Sequence, residues 1–381
     1  MTRADGTCDD RFKVVKKLLQ SFLDSGEELG ASIVVNVDGE NVVDIWGGYA
    51  DAKCTQPWEK NTITNVWSTT KAVTSLAALT LVSRGLLSPN EKVSTYWPEF
   101  AANGKNDIEV RHILSHTSGV SGWEKDMTLD DIYDIPAATT LLAHQAPFWP
   151  FGTASGYHSL TFGHLIGALV LRTVGKSLKQ FIAEDIAAPA GADFQLGAAE
   201  KDWPRLAEII PPPPQNLPFT LEPGSIVRKS VTNPTIDARV ANTPAWRQAD
   251  IGAANGFGNA RSIARMLSAI SLGGKVDGKC LLSPGTVDLI FQEQVRGKDL
   301  VVGSNLSFGI GYGLNARDID TDWLPEGRIC FWGGWGGSMI IMDVDRRVTI
   351  AYVMNKMENV GLGNSRTKTY IEAVYNALDA K

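Results

Sequence analysis

Trp67-Ser68-Thr69-Thr70-Lys71 runs directly into Ala72-Val73-Thr74-Ser75-Leu76-Ala77-Ala78-Leu79, an apolar stretch of small side chains that reads as a strong helix. Ser68 stands at its first turn and Lys71 one turn further on. Residues at i and i+3 share a helix face, so the hydroxyl and the amine can meet. The unpaired N–H groups of a helix N-terminus also stabilise negative charge that develops beside Ser68. Ser-x-x-Lys is a short pattern, and the chain holds a second copy, Ser365-Arg366-Thr367-Lys368, on what reads as an exposed terminal helix. Ser68 could equally be an N-cap with a solvated lysine behind it. The apolar helix favours a different reading: Lys71 enters the interior, where an ammonium is costly unless it has a task.

Two stretches downstream belong with it. Pro150-Phe151-Gly152-Thr153-Ala154-Ser155-Gly156-Tyr157-His158-Ser159 leads into the helical run 162–174, and among eight tyrosines only Tyr157 reads Tyr-x-Ser or Tyr-x-Asn. A loop tyrosine ahead of a buried helix can point its phenol into a cleft; alone, it is better explained by ring packing with a wet hydroxyl, and it is the company of Ser68 and Lys71 that reverses this. Phe331-Trp332-Gly333-Gly334-Trp335-Gly336-Gly337-Ser338 puts four glycines into a strand region. Such glycines weaken a strand, so they mark either a plain turn or a place where a ligand approaches the backbone.

Outward from these motifs, strands collect at the two ends of the chain. Residues 32–37 and 41–46 flank Asp38-Gly39, a tight-turn pair, and read as a β-hairpin. Residues 306–314, 328–332, 338–344 and 348–354 are strand candidates near the other end. Helical periodicity covers 9–24, and residues 364–379 close the chain as a helix. From Lys71 to about residue 190 the signals are helical (72–83, 112–115, 162–174), with Gly and Pro at the breaks. The expected fold is α/β in the α+β sense: an antiparallel sheet built from both chain ends and flanked by helices, with a mostly helical domain inserted. The expected boundaries are 1–70 with 245–381 for the sheet domain and 71–244 for the helical one, the active site lying in the cleft between them. Pro211–Pro214 reads as a stiff polyproline connector.

At 381 residues the chain exceeds the size at which single cores stop growing. A net charge of −6, with no Lys/Arg cluster, argues against a nucleic-acid partner. No run approaches the roughly 18 apolar residues of a membrane span, and the first residues lack a secretory apolar core, so a cytoplasmic location is expected. The four cysteines (Cys8, Cys54, Cys280, Cys330) form no Cys-x-x-Cys pair and are expected to be free, buried thiols. His112 and His116, at helical i, i+4 spacing, read as a structural pair; without His-Glu-x-x-His and with only three other histidines, no metal site and no cofactor are expected. The Gly-x-Ser-x-Gly elbow of α/β-hydrolases is absent from the sequence.

Taken together and in this order, the motifs resemble the serine β-lactamase and penicillin-binding superfamily, closest to class C β-lactamases and the related family VIII carboxylesterases. The resemblance runs over nearly the whole chain and includes Gly47-Gly48-Tyr49-Ala50, His112–Gly119, Asn255-Gly256-Phe257-Gly258 and Leu281–Pro284. It implies Ser68 as nucleophile, Lys71 and Tyr157 as its acid–base partners, and the N–H groups of Ser68 and Trp335 as oxyanion hole. Ser159, Trp332, Gly333 and Gly334 are implied to bind substrate. Two departures bear on specificity: Trp332-Gly333-Gly334 stands where lactamases carry Lys-Thr-Gly, and Ser159 where they usually carry Asn. Both point to uncharged, small-molecule esters hydrolysed through an acyl-Ser68 intermediate. An acyltransferase with the same triad, a weak β-lactamase or peptidase, and a catalytically silent scaffold of the same fold are the alternatives.

Overall fold

Asp38 and Gly39 both adopt positive φ (52° and 93°) in the computed structural model, which describes residues 3–214, 222–321 and 323–380. They join β2 (Gly30–Val37) to β3 (Glu40–Gly48) as the two-residue hairpin that Asp-Gly favours. β1 (Asp5–Cys8) also comes from the chain start; β4 (Val295–Lys298), β5 (Asn305–Phe308), β6 (Gly313–Leu314), β7 (Ile329–Gly333), β8 (Met339–Asp343) and β9 (Val348–Met354) come from its end. They pair antiparallel in the order β1-β3-β2-β9-β8-β7-β6-β5-β4. The seam between the two chain ends is β2 against β9, seven residues long from Val37↔Val348 to Ala31↔Met354.

Both faces of this sheet are covered. In β9 the Tyr352 ring packs 5.2 Å from Tyr370 of α5 (Ser365–Asp379), whereas Thr349 Oγ1 lies 2.8 Å from Ser271 Oγ of α4 (Ala260–Ser271). Residues an odd number apart point to opposite faces, so α4 and α5 sandwich the sheet, and every residue of β9 is buried. On the α4 side lies α2 (Thr70–Ser83), which also packs against α3 (Thr161–Val174). Residues 70–81 of α2 are buried on every side, as expected of a helix with no polar face.

The structure departs from sequence expectation in identifiable ways. The single strand expected over 306–314 is two strands, β5 and β6, folded onto each other at Gly309–Gly311, where Gly311 takes φ 92°. β1 and β4 carry too few apolar residues to announce themselves; β1 is held as an edge strand by pairing Asp5–Cys8 with Val43–Trp46. The cysteines are free, but only Cys330 is buried; Cys54 and Cys280 are exposed and Cys8 is half-buried, each on a short polar edge or turn. Pro211–Pro214 carries no regular secondary structure, and the residues after it, 215–221, lie outside the described ones. Among the described residues no helix is long and apolar enough to cross a membrane.

Candidate active site

Ser68 lies in a 3-10 turn, Trp67–Thr69, that feeds α2, and it is the one residue between 62 and 81 that is not fully buried. Trp67 before it takes φ 48°, a left-handed conformation that is strained for a bulky side chain and persists only where packing fixes it. Its ring is wedged between those of Trp246 (5.6 Å) and Trp335 (5.1 Å). Behind the turn, Thr64–Asn65 pairs with Gly256–Gly258, and the Thr70 hydroxyl accepts the Gly256 N–H at 2.8 Å. The turn that carries Ser68 is therefore tied to a second segment some 190 residues away.

That tie positions Lys71. Its Nζ is 3.1 Å from Ser68 Oγ, 2.8 Å from the Ser159 carbonyl oxygen and 2.9 Å from that of Ala253. Lys71 is 2% exposed and has no carboxylate partner among the described residues, and burial holds its pKa well below the ordinary lysine value. Two of its three neighbours are carbonyls, which can only accept. A neutral amine has two N–H groups for them and one lone pair, and the lone pair is left facing the Ser68 hydroxyl.

Tyr157 approaches from the other side. Its hydroxyl shares a hydrogen bond with Ser68 and accepts one from the Trp332 indole N–H at 3.3 Å. Lys71 Nζ sits 4.7 Å from the phenol ring centroid. Burial pushes the phenol above its usual range, against the smaller opposing effect of those two hydrogen bonds. Beneath Tyr157 lie the imidazoles of His116 (5.0 Å between rings) and, beside it, His158 (5.2 Å from His116). His158 Nδ1 lies 2.8 Å from the Gly156 carbonyl and must donate to it, leaving Nε2 to accept from the Ser118 hydroxyl at 2.6 Å. Burial holds His158 down to about 4 and lowers His116 well below its ordinary value, so both rings are neutral at pH 7.

His112 and His116 are not a helical pair. The helix Val110–Leu114 ends before His116, which turns into φ 60°; His112 Nδ1 accepts the Glu109 N–H, and His116 Nδ1 accepts that of His158.

The glycine-rich segment closes the site. A methyl group on Gly334 would stand 2.4 Å from the Val66 carbonyl oxygen, so only glycine lets this backbone lie against the turn that carries Ser68. Ser338 Oγ bridges the same gap, 3.0 Å from Val66 O and 2.9 Å from Thr69 Oγ1. Ser68, Tyr157, Ser159, Trp332, Gly333 and Trp335 all line one cavity of about 720 Å3, whereas Gly334 faces Val66 instead. Ser365 and Lys368 of the second Ser-x-x-Lys are exposed on α5.

Comparison with known proteins agrees with this geometry. Residues 15–375 match the beta-lactamase family. The chain belongs to that family. It is a serine hydrolase, and its sequence is 32% identical over 368 residues to the esterase/beta-lactamase LipL of Mycobacterium tuberculosis, covering 93% of this chain and 83% of that protein. A family VIII carboxylesterase of known structure superposes with a TM-score of 0.92 at 34% identity, covering 98% of this chain and all of the other. A penicillin-binding protein homologue from Caulobacter crescentus gives 0.92 at 35%, covering 98% and 99%.

Sequence reasoning missed what holds the motifs. The carbonyls of Ser159 and Ala253 carry no side-chain signature. The far wall of the cavity comes from the end of a short helix at Val231 and Thr232 and from loops carrying Ile236, Val302 and Asp320, none with a periodicity to mark it. His116 was legible only as one half of a helical pair that the left-handed turn breaks.

Proposed function

We propose that this serine hydrolase is a carboxylesterase acting on small, uncharged esters through an acyl-Ser68 intermediate. The observation that carries the reading is the setting of Lys71, a buried amine with two carbonyl acceptors, no carboxylate, and Ser68 Oγ in the remaining direction. Burial without a counter-charge favours the neutral form of such a lysine, the form that can take the Ser68 proton.

In the first half-reaction Ser68 Oγ attacks the ester carbonyl carbon as its proton passes to Lys71 Nζ. The carbonyl π pair moves onto oxygen, where the Ser68 and Trp335 N–H groups receive it; neither amide donates to another group among the described residues. Collapse restores the carbonyl and breaks the bond to the alcohol oxygen. That oxygen takes the Tyr157 proton, and Tyr157 recovers one from the Lys71 ammonium. Water then repeats the sequence on acyl-Ser68, releasing the acid. Burial favours the neutral amine and the neutral phenol alike, which suits Lys71 as acceptor and Tyr157 as donor.

The cavity supports an uncharged substrate. Among its described lining residues there is no Lys, Arg or His, and the one charged group is Asp320. Trp332, where lactamases carry lysine, is packed against Tyr157 and Phe308 (5.3 Å each) and donates to the phenol. A panel of p-nitrophenyl esters run beside nitrocefin tests the proposal. Hydrolysis of short-chain esters with weak nitrocefin turnover is expected; comparable rates on both would remove the esterase reading and leave the Ser–Lys–Tyr machinery.

A further inference from the structure

Asp299 follows β4 in a loop that closes on itself through Asp299 N–H to Ser304 O (2.9 Å) and Gly303 N–H to Asp299 O (3.0 Å). It is 1% exposed. One carboxylate oxygen, Oδ1, accepts three backbone N–H groups: Val301 at 2.9 Å, Val302 at 3.0 Å and, from 142 residues away, Tyr157 at 3.0 Å. The other, Oδ2, is buried without a partner among the described residues. A second strap, Leu300 N–H to Ser155 O at 2.8 Å, joins the same two segments. A buried carboxylate is costly unless paired or well hydrogen-bonded; among the described residues Asp299 makes no ion pair, and the three amides on one oxygen are its compensation.

We infer that Asp299 is a positioning residue for the proposed reaction: it fixes the backbone of Tyr157, and with it the phenol at Ser68, to the loop whose Val302 and Ser304 form the substrate wall. The inference rests on the proposed role of Tyr157. Tyr157 lies in a segment without regular secondary structure, so no helix or strand ladder holds its amide; Asp299 does. The phenol is otherwise steadied by ring contacts with His116 and Trp332, which resist tilting more than they resist a slide of the backbone. The carboxylate also acts on the phenol at a distance, adding to burial in keeping it protonated.

The test compares Asp299→Ala with Asp299→Asn, the latter keeping an oxygen acceptor at Oδ1. Active sites are first counted by fluorophosphonate labelling, and kcat is expressed per labelled site. Asp299→Ala is expected to lower kcat per site on the order of 10²-fold, the effect of misplacing a reacting group by about 1 Å, with KM changed less than threefold. Asp299→Asn is expected to recover to within about tenfold of native. A role in loop stability alone would reduce the number of labelled sites, or raise KM through Val302 and Ser304, while leaving kcat per site unchanged; that result in Asp299→Ala overturns the inference. If Asp299→Ala does not fold, Asp299→Ser, which lets water reach the three amides, decides by the same criterion. Failure of the native chain to label at Ser68 would instead defeat the functional reading itself.

Discussion

Gly334→Ala isolates the contact that brings the glycine-rich segment against the turn that carries Ser68, the proposed nucleophile. The added methyl would lie 2.4 Å from Val66 O and 2.4 Å from Ser338 Oγ, where ordinary contact begins at 3.4 Å. The Ser338 side chain can rotate away, but Val66 O is backbone, so the two segments must part by about 1 Å. Overpacking of this kind costs roughly 1–3 kcal/mol of stability. The larger effect falls on the proposed oxyanion hole, because Trp335 N–H moves with Gly334 while Ser68 N–H stays with Val66. Losing one such donor lowers kcat by about 10²–10³-fold, and a 1 Å displacement can cost about 10²-fold by itself. The expected outcome is therefore a fall in kcat of about 10²-fold with KM changed less than threefold, measured on p-nitrophenyl butyrate and normalised to fluorophosphonate-labelled sites. Gly285→Ala, whose methyl would meet nothing within 4 Å, is the control and should match the native protein. A kcat for Gly334→Ala within threefold of native would refute the argument that this close approach sets the hole.

The other predictions concern the proton path and specificity. Lys71→Arg should lose activity by about 10³-fold or more, since guanidinium stays protonated at any working pH; substantial turnover would mean that Lys71 only orients Ser68. If Lys71 acts as proposed, as the neutral amine, its burial-depressed pKa means that kcat/KM is lost as pH falls through that depressed value and that its rise is complete well below the about 10.4 of free lysine; a limb at or above 10 would contradict the site electrostatics. With no basic group on the described cavity wall, an anionic lactam lacks a charge-assisted hydrogen bond worth about 1.5–3 kcal/mol. kcat/KM for p-nitrophenyl acetate or butyrate should then exceed that for nitrocefin by more than about tenfold. Trp332→Phe, which keeps a ring but removes the indole N–H from Tyr157, should lower kcat about 3- to 10-fold, as expected for one neutral hydrogen bond of about 0.5–1.5 kcal/mol; an unchanged kcat would show that contact to be idle.

Much of the site was legible because its chemistry is local. Ser68 and Lys71 are three residues apart, in the turn that leads into α2 and in the first turn of α2, a helix whose apolar composition favours burial, and Tyr157 stands in a recognisable loop before α3. The sheet was legible where turn chemistry is strong, as at Asp38-Gly39, and where a strand covered on both faces reads as a nearly continuous apolar, β-branched run, as in β9. What stayed hidden is contact between distant backbone. No pattern marks the Ala253 carbonyl as a Lys71 acceptor, Gly334 as a neighbour of Val66, or Asp299 as the acceptor for the Tyr157 amide, since backbone groups look alike in every sequence. β5 and β6 were merged because alternation does not report a fold-back at Gly309–Gly311.

The central claim is that Ser68 is the nucleophile, and a fluorophosphonate probe followed by peptide mapping tests it most directly. One adduct per chain is expected, on the peptide containing Ser68, lost in Ser68→Ala together with activity by a factor on the order of 10³ or more, while Ser365→Ala labels and turns over normally. An adduct on another residue, or near-native turnover in Ser68→Ala, would contradict the account.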